Sequence, residues 1–146
     1  MKKILIAAIL FFTIVSVNAQ MRAIPSEVTD AFKMQYPTAA KINWKDNITN
    51  FEAEFTNDGV NTSAKYTTKG TWIETDRDLK FTDLNSSIKD GFAKSKYKDW
   101  EVKAVKEINE KDKAIMYRIT IKKSDVQLKY LYFAKNGQLK KEALTL

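Results

Sequence analysis

The sequence predicts an α+β fold built twice, each unit a helix followed by about four antiparallel strands, with the helices packed on one face of an antiparallel sheet. Three observations carry this. Helical periodicity occurs in residues 26–36 and again in 86–97, and period-two alternation fills most of what lies between and after them. Equivalent residues also recur at near-constant spacing. Val28 to Ile88 and Phe32 to Phe92 are sixty residues apart, Tyr36 to Tyr97 sixty-one, and Gly70 to Gly137 sixty-seven, which is the mark of a duplicated unit.

Residues 1–19 read as a signal peptide. Lys2 and Lys3 form a charged start, residues 4–17 are almost continuously apolar, and Val17-Asn18-Ala19 is a small-residue cleavage site. Cleavage is expected after Ala19. The apolar run is about 14 residues against roughly 20 for a bilayer span, so no membrane span is expected after cleavage. With no cysteine at the cut, lipid modification is excluded, and the product is expected in the periplasm or the medium. Residues 20–146 suit a single domain of two repeats, about 22–79 and 80–146.

The first helix enters through Ile24-Pro25-Ser26-Glu27, with proline at the first turn and an acid near the positive end of the dipole. Val28, Ala31, Phe32 and Tyr36 share its apolar face, and Pro37 ends it. Ile42 and Trp44 then share one face of a strand. Phe51, Ala53 and Phe55 alternate with Glu52 and Glu54. Asn57-Asp58-Gly59 supplies a turn, and Val60, Thr62, Ala64 and Tyr66 continue the apolar side opposite Asn61, Ser63 and Lys65. Gly70 turns the chain into a strand at 71–75, and residues 76–83 read as the connector between units.

The second unit opens with Asn85 or Ser86 as helix N-cap, and Ile88, Phe92 and Tyr97 repeat the apolar face of the first helix. A strand at 101–108 and a charged turn follow. Ile115, Tyr117, Ile119 and Ile121 are the inward side of the next strand, with Met116, Arg118 and Thr120 outward. A turn at Ser124-Asp125 leads to a strand at 126–133 that is apolar on both sides. Aligning Gly137 on Gly70 places Leu131 and Phe133 inward with Ala64 and Tyr66, and Leu128, Tyr130 and Tyr132 outward. A last strand spans 139–146, its exposed edge charged by Lys140, Lys141 and Glu142.

Composition excludes several kinds of chemistry. The chain has no cysteine and no histidine, so it offers no disulfide, no thiolate nucleophile and no imidazole base or metal ligand. The formal charge is +7, concentrated in the second unit. Residues 20–79 carry 7 basic and 9 acidic side chains, and residues 80–146 carry 16 and 9. Arg22, Arg77 and Arg118 are the only arginines. Lysine is a hydrated point charge, whereas phosphate and base recognition favour arginine's planar fork, so the basicity reads as a solvated surface and no nucleic-acid partner is expected.

The pattern Ile24-Pro25-x-x-Val28-x-x-Ala31-Phe32-x-x-x-Tyr36-Pro37-x-Ala39, then Trp44, Phe51-x-Ala53-x-Phe55 and Ala64-x-Tyr66-x-x-x-Gly70-x-Trp72 resembles the beta-lactamase-inhibitor-like, PepSY-like family of exported bacterial proteins. The resemblance covers the chain after residue 20, twice over. It implies helices on one face of an antiparallel sheet, repeated in tandem, and it relates the fold to that of a secreted protein inhibitor. No inhibitory residue carries over, because no inhibitory motif is matched and the cysteines of that inhibitor are missing.

Helices on one face leave the other available. The candidate protein- or peptide-binding residues on it are Lys65, Met116, Arg118, Leu128, Tyr130 and Tyr132, because tyrosine, methionine and arginine are enriched where proteins meet. The rival reading shifts the register of 128–133 by one and makes the tyrosines ordinary core. Trp44, Trp72 and Trp100 read as packing residues. Glu52 with Glu54, and Asp76 with Asp78, read as solvated carboxylates, since a hard-cation loop is missing. No catalytic residue, cofactor or metal is expected. The expected partner is a protein or peptide of the cell envelope, the alternative a small ligand or ion held between sheet and connector.

Overall fold

The computed structural model describes residues 22–124 and 127–144. The expected signal segment with its expected cut after Ala19, Asp125 of the predicted turn, Val126 at the start of the predicted 126–133 strand, and residues 145–146 of the predicted last strand lie outside the described residues.

The elements are α1 (Ser26–Gln35), β1 (Ala40–Asp46), β2 (Asn50–Asn57), β3 (Val60–Thr67), β4 (Trp72–Leu79), a 3-10 turn (Phe81–Asp83), α2 (Ser86–Ala93), β5 (Glu101–Glu110), β6 (Met116–Ser124), β7 (Gln127–Ala134) and β8 (Leu139–Leu144). The eight strands form one sheet in chain order, every neighbouring pair antiparallel. No helix among the described residues is long and apolar enough to cross a membrane.

Local chemistry sets the helix boundaries. Pro25 sits just before the first turn of α1, and the chain leaves the helical region at Tyr36, ahead of Pro37. Asn85 caps α2, its side-chain oxygen accepting from the Ile88 amide at 2.9 Å. The same cap is tied to the far hairpin, because Asn85 Nδ2 donates to the Lys135 carbonyl at 3.1 Å.

Gly70 and Gly137 occupy matching positions. Gly70 N–H donates to the Thr67 carbonyl and Thr67 N–H to the Thr71 carbonyl; Gly137 N–H donates to Ala134 and Ala134 N–H to Gln138 in the same pattern. Both glycines have positive φ, 77° and 83°. Each also lies under the first turn of a helix. A Cβ on Gly70 would stand 2.3 Å from the Glu27 carbonyl oxygen, and one on Gly137 2.1 Å from that of Ser87. Only glycine satisfies both the backbone angle and the contact.

Two clusters make the core. Val28 and Phe32 of α1 pack on Phe51, Ala53 and Phe55 of β2 and Ala64 and Tyr66 of β3. Ile88 and Phe92 of α2 join Leu84, Tyr97, Val105, Ile119, Ile121, Leu131 and Phe133. Phe32 meets Phe55 edge-on at 4.9 Å and Trp44 at 5.2 Å, and the buried Tyr66 hydroxyl donates to Gln35 Oε1 at 2.9 Å. Fully burying each large apolar side chain contributes about 1.5–3 kcal/mol. All three tryptophans flank these clusters as partly buried packing residues.

Several predicted boundaries move. Residues 76–79 belong to β4, where Asp76 pairs with Ser63 on one side and Ile108 on the other. The connector is therefore only residues 80–85. A central strand gains hydrogen bonds on both edges, and these order a charged segment that its own side chains do not mark as a strand. β5 likewise continues to Glu110 as the partner of Glu74. Tyr97 is buried but lies beyond α2, in the turns leading to β5. Ile115 precedes β6 and is exposed, since the pairing of β6 begins at Met116.

Candidate protein-binding face

Side chains that alternate with the core residues point the other way, and cross-strand partners share a face. The pairings therefore define the outward rows. Lys45, Glu52, Lys65 and Glu74 form one. Asn43, Glu54, Ser63, Asp76, Ile108 and Met116 form the next. Asp78, Lys106, Arg118, Tyr132 and Lys141 form a third, and Thr120 pairs with Tyr130 beyond it.

Charge alternates along the first row, and ion pairs form within and between the rows. Lys45 pairs with Glu54 and Lys65 with Glu74, both at 2.5 Å, Lys106 with Asp78 at 3.5 Å, and Arg118 with Asp76 at 3.8 Å. The first pair is exposed and worth little to stability; the last is the deepest, with side-chain exposures of 22% for Arg118 and 14% for Asp76. Burial pushes the Asp76 carboxyl above its ordinary value, helped by neighbouring Glu74, while Arg118, Lys106 and Lys65 pull it back. Burial opposes the charge on Lys65, but its hydrogen bond to Glu74 leaves its pKa raised. The Lys45 ammonium holds Glu54 below the usual carboxylate range. Asp76 Oδ1 and Arg118 Nε are buried without a hydrogen-bond partner.

Glu52, Glu54, Asp76, Asp78, Lys106 and Arg118 line a concavity of about 640 Å³. The two carboxylate pairs, remote in sequence, thus share one hollow. Cations and amides answer them: Glu52 accepts from Asn47 Nδ2 at 3.2 Å, and the others have the pairs above. Among the described residues no group of three or more metal-ligating side chains is gathered to hold an ion.

Beside the hollow stands an aromatic and cationic ledge. The Arg118 guanidinium lies 4.8 Å from the Tyr130 ring centre, Tyr130 meets Tyr132 edge-on at 6.5 Å, and the Lys141 ammonium lies 5.4 Å from Tyr132. Tyr130 and Tyr132 are half-buried, whereas Leu131 and Phe133 are fully buried on the other side. The register is thus the one that puts the tyrosines outward.

Of the six candidate residues, Arg118, Tyr130 and Tyr132 come together, and Met116 lies one row away. Leu128 is at the far end of β7 opposite Lys122, and Lys65 is three strands from Arg118. Sequence reasoning missed Lys106 and Ile108. Ile108 is 7% exposed yet belongs to neither helix-bearing cluster, lying between Asp76 and Met116 on the outward face. The irregularity between Val102 and Ala104 breaks the alternation of β5, so its apolar residues do not reveal which side they take.

The architecture is that of a small α+β scaffold in which one long antiparallel sheet carries two helices and an outward charged and aromatic surface. A family model described as "Putative beta-lactamase-inhibitor-like, PepSY-like" matches residues 49–141, and the chain belongs to that family. It is similar to the crystal structure of a protein from Bacteroides eggerthii DSM 20697 described among "putative periplasmic proteins", with a TM-score of 0.79 and 22% identity, covering 84% of this chain and 89% of that one. It is likewise similar to a "BLIP-like protein" from Bacteroides fragilis NCTC 9343, with a TM-score of 0.78 and 22% identity, covering 84% and 87%. At such identity the likeness is one of fold. A search of curated proteins finds no match.

Proposed function

We propose that this protein is an exported, non-catalytic module that engages a protein or peptide of the cell envelope through the outward face of its sheet. On this reading it is a duplicated unit of one helix and four strands. Both helices then lie on one side: Thr62, Arg77, Glu107, Tyr117 and Phe133 are successive partners across the sheet, so the wall of one core cluster continues into the other. The observation that carries the proposal is the ledge of Arg118, Tyr130 and Tyr132 beside a polar hollow. Aromatic and arginine side chains next to a concavity supply both contact area and orientation to a docking partner. Family membership and the description of one structural neighbour as periplasmic support export.

The test is a pull-down from envelope extract with wild type and with a Tyr130→Ala, Tyr132→Ala double variant. Specific partners recovered by wild type are expected to be lost from the variant; equal recovery counts against this face.

A second reading, a small ligand held between sheet and connector, is favoured by a cleft of about 660 Å³ lined by Arg77, Leu79, Lys80, Asp83, Glu107 and Tyr117. Arg77 and Glu107 pair there at 3.2 Å. The absence of any thermal shift with calcium or envelope metabolites would weaken it.

A further inference from the structure

A smaller cavity lies at the other end of the molecule, where the turns after α2 cross the ends of β6, β7 and β8. It measures about 400 Å³ and is lined by Tyr97, Trp100, Lys123, Gln127, Leu128, Lys129 and Leu144, within the size range of small-ligand sites. Its walls are mainly apolar. Tyr97 and Trp100 meet edge-on at 5.1 Å, and Leu144 leaves 72% of its surface to solvent.

The charged side chains lining this cavity, among the described residues, are both cationic. The Lys129 ammonium lies 5.3 Å from the Tyr97 ring centre and donates to the Tyr97 hydroxyl at 3.2 Å. The Lys123 ammonium lies 5.9 Å from the Trp100 ring centre. Gln127 adds an amide, and among the described residues no carboxylate lines the walls. The nearby Glu142 is engaged outside them, accepting from the Tyr97 hydroxyl at 2.6 Å and pairing with Lys96 at 3.4 Å.

We infer that this cavity binds an apolar monocarboxylate, its hydrocarbon body against Trp100, Leu128 and Leu144 and its carboxylate between the Lys123 and Lys129 ammoniums. A neutral apolar ligand would gain nothing from the charge of the two ammoniums, and a cation would be repelled by them. A carboxylate gains charge-assisted hydrogen bonds from each, while the leucines and the indole lose contact with water. A free fatty acid and the C-terminal carboxylate of an apolar peptide share this chemistry.

Isothermal titration of the purified protein separates these sources. The probes are decanoate and N-acetyl-Leu-Leu, each beside its neutral counterpart, decanol and N-acetyl-Leu-Leu amide. At least one acid is expected to saturate a single site about tenfold or more tightly than its neutral form, the scale of one hydrogen bond to a charged group. The acid that does so identifies the source. Lys123→Gln and Lys129→Gln are each expected to weaken it about fivefold to tenfold with the melting temperature unchanged, and Lys113→Gln, which lies elsewhere, to leave it unaltered. The proposal is overturned if neither acid binds, if the neutral forms bind as tightly, or if both cavity substitutions leave affinity unchanged.

Discussion

Arg118 of β6 reaches over β5 to Asp76 of β4, guanidinium to carboxylate at 3.8 Å, beneath the ledge formed by Tyr130. The two residues are forty-two positions apart in the chain, and the pair joins the acidic first half of the sheet to its basic second half. Arg118→Met leaves Asp76 buried with its closest cation removed. A loss of about 1–3 kcal/mol at neutral pH is expected, the scale for a buried group left unsatisfied, measurable by urea denaturation.

Asp76 also sets a pH dependence. Burial raises its folded pKa above the ordinary value of 3.8, so the folded state holds the proton more tightly than the unfolded chain. The contribution is fully present below the unfolded pKa and is lost as pH rises through the folded one. Asp76→Asn is therefore expected to remove a decline in stability on the alkaline side of 3.8. Urea midpoints for wild type and variant from about pH 3 to pH 7 measure this, and parallel curves would refute it.

Asp46 acts in the opposite window. Arg22 donates to it at 2.7 Å, and the Ile48 amide at 2.9 Å. These bonds lower its pKa from 3.8 to about 2, the Arg22 side chain being the larger cause. Its stabilisation is present above the unfolded pKa and lost as pH falls toward about 2. In Asp46→Asn the acid-side loss of stability should be shallower than in wild type, as read from thermal melts between about pH 2 and pH 5.

The glycines allow a controlled comparison. Gly59 has φ +81° and open space around it, with no atom within 4 Å of where a Cβ would stand, whereas Gly137 has φ +83° and the Ser87 carbonyl in the way. Gly59→Ala should cost only the left-handed backbone, about 1–2 kcal/mol. Gly137→Ala should cost that and the displacement of α2, about 2–5 kcal/mol in total. Chemical denaturation of both variants checks the difference; equal losses would mean that α2 shifts freely.

Asn85→Ala removes the α2 cap and the link to Lys135 together. A loss of about 1–2 kcal/mol is expected. Asn85→Ser, which retains a capping oxygen but not the amide donor, should recover part of it in the same assay.

Much of this was legible in the chain. Phe51, Ala53 and Phe55, Ala64 and Tyr66, and Ile119 and Ile121 show their buried side by alternation alone, and the glycine register placed Leu131 and Phe133 inward. That register rests on local geometry: residues two apart share a face, and the turns at Gly70 and Gly137 demand the same backbone. For β7, where both faces are apolar, the turn supplied what the hydrophobic pattern lacked.

Asp76 and Asp78 mark the limit. Nothing in Glu74-Thr75-Asp76-Arg77-Asp78 alternates apolar with polar, and the segment is a strand because β3 and β5 flank it. The shared hollow of Glu52, Glu54, Asp76 and Asp78, the burial of Ile108 and the reach of Arg118 follow from that pairing. Periodicity and turn chemistry are encoded within a few residues and so belong to the sequence by itself. Which charges meet across a sheet depends on the register of strands distant in the chain, and only the tertiary structure decided it.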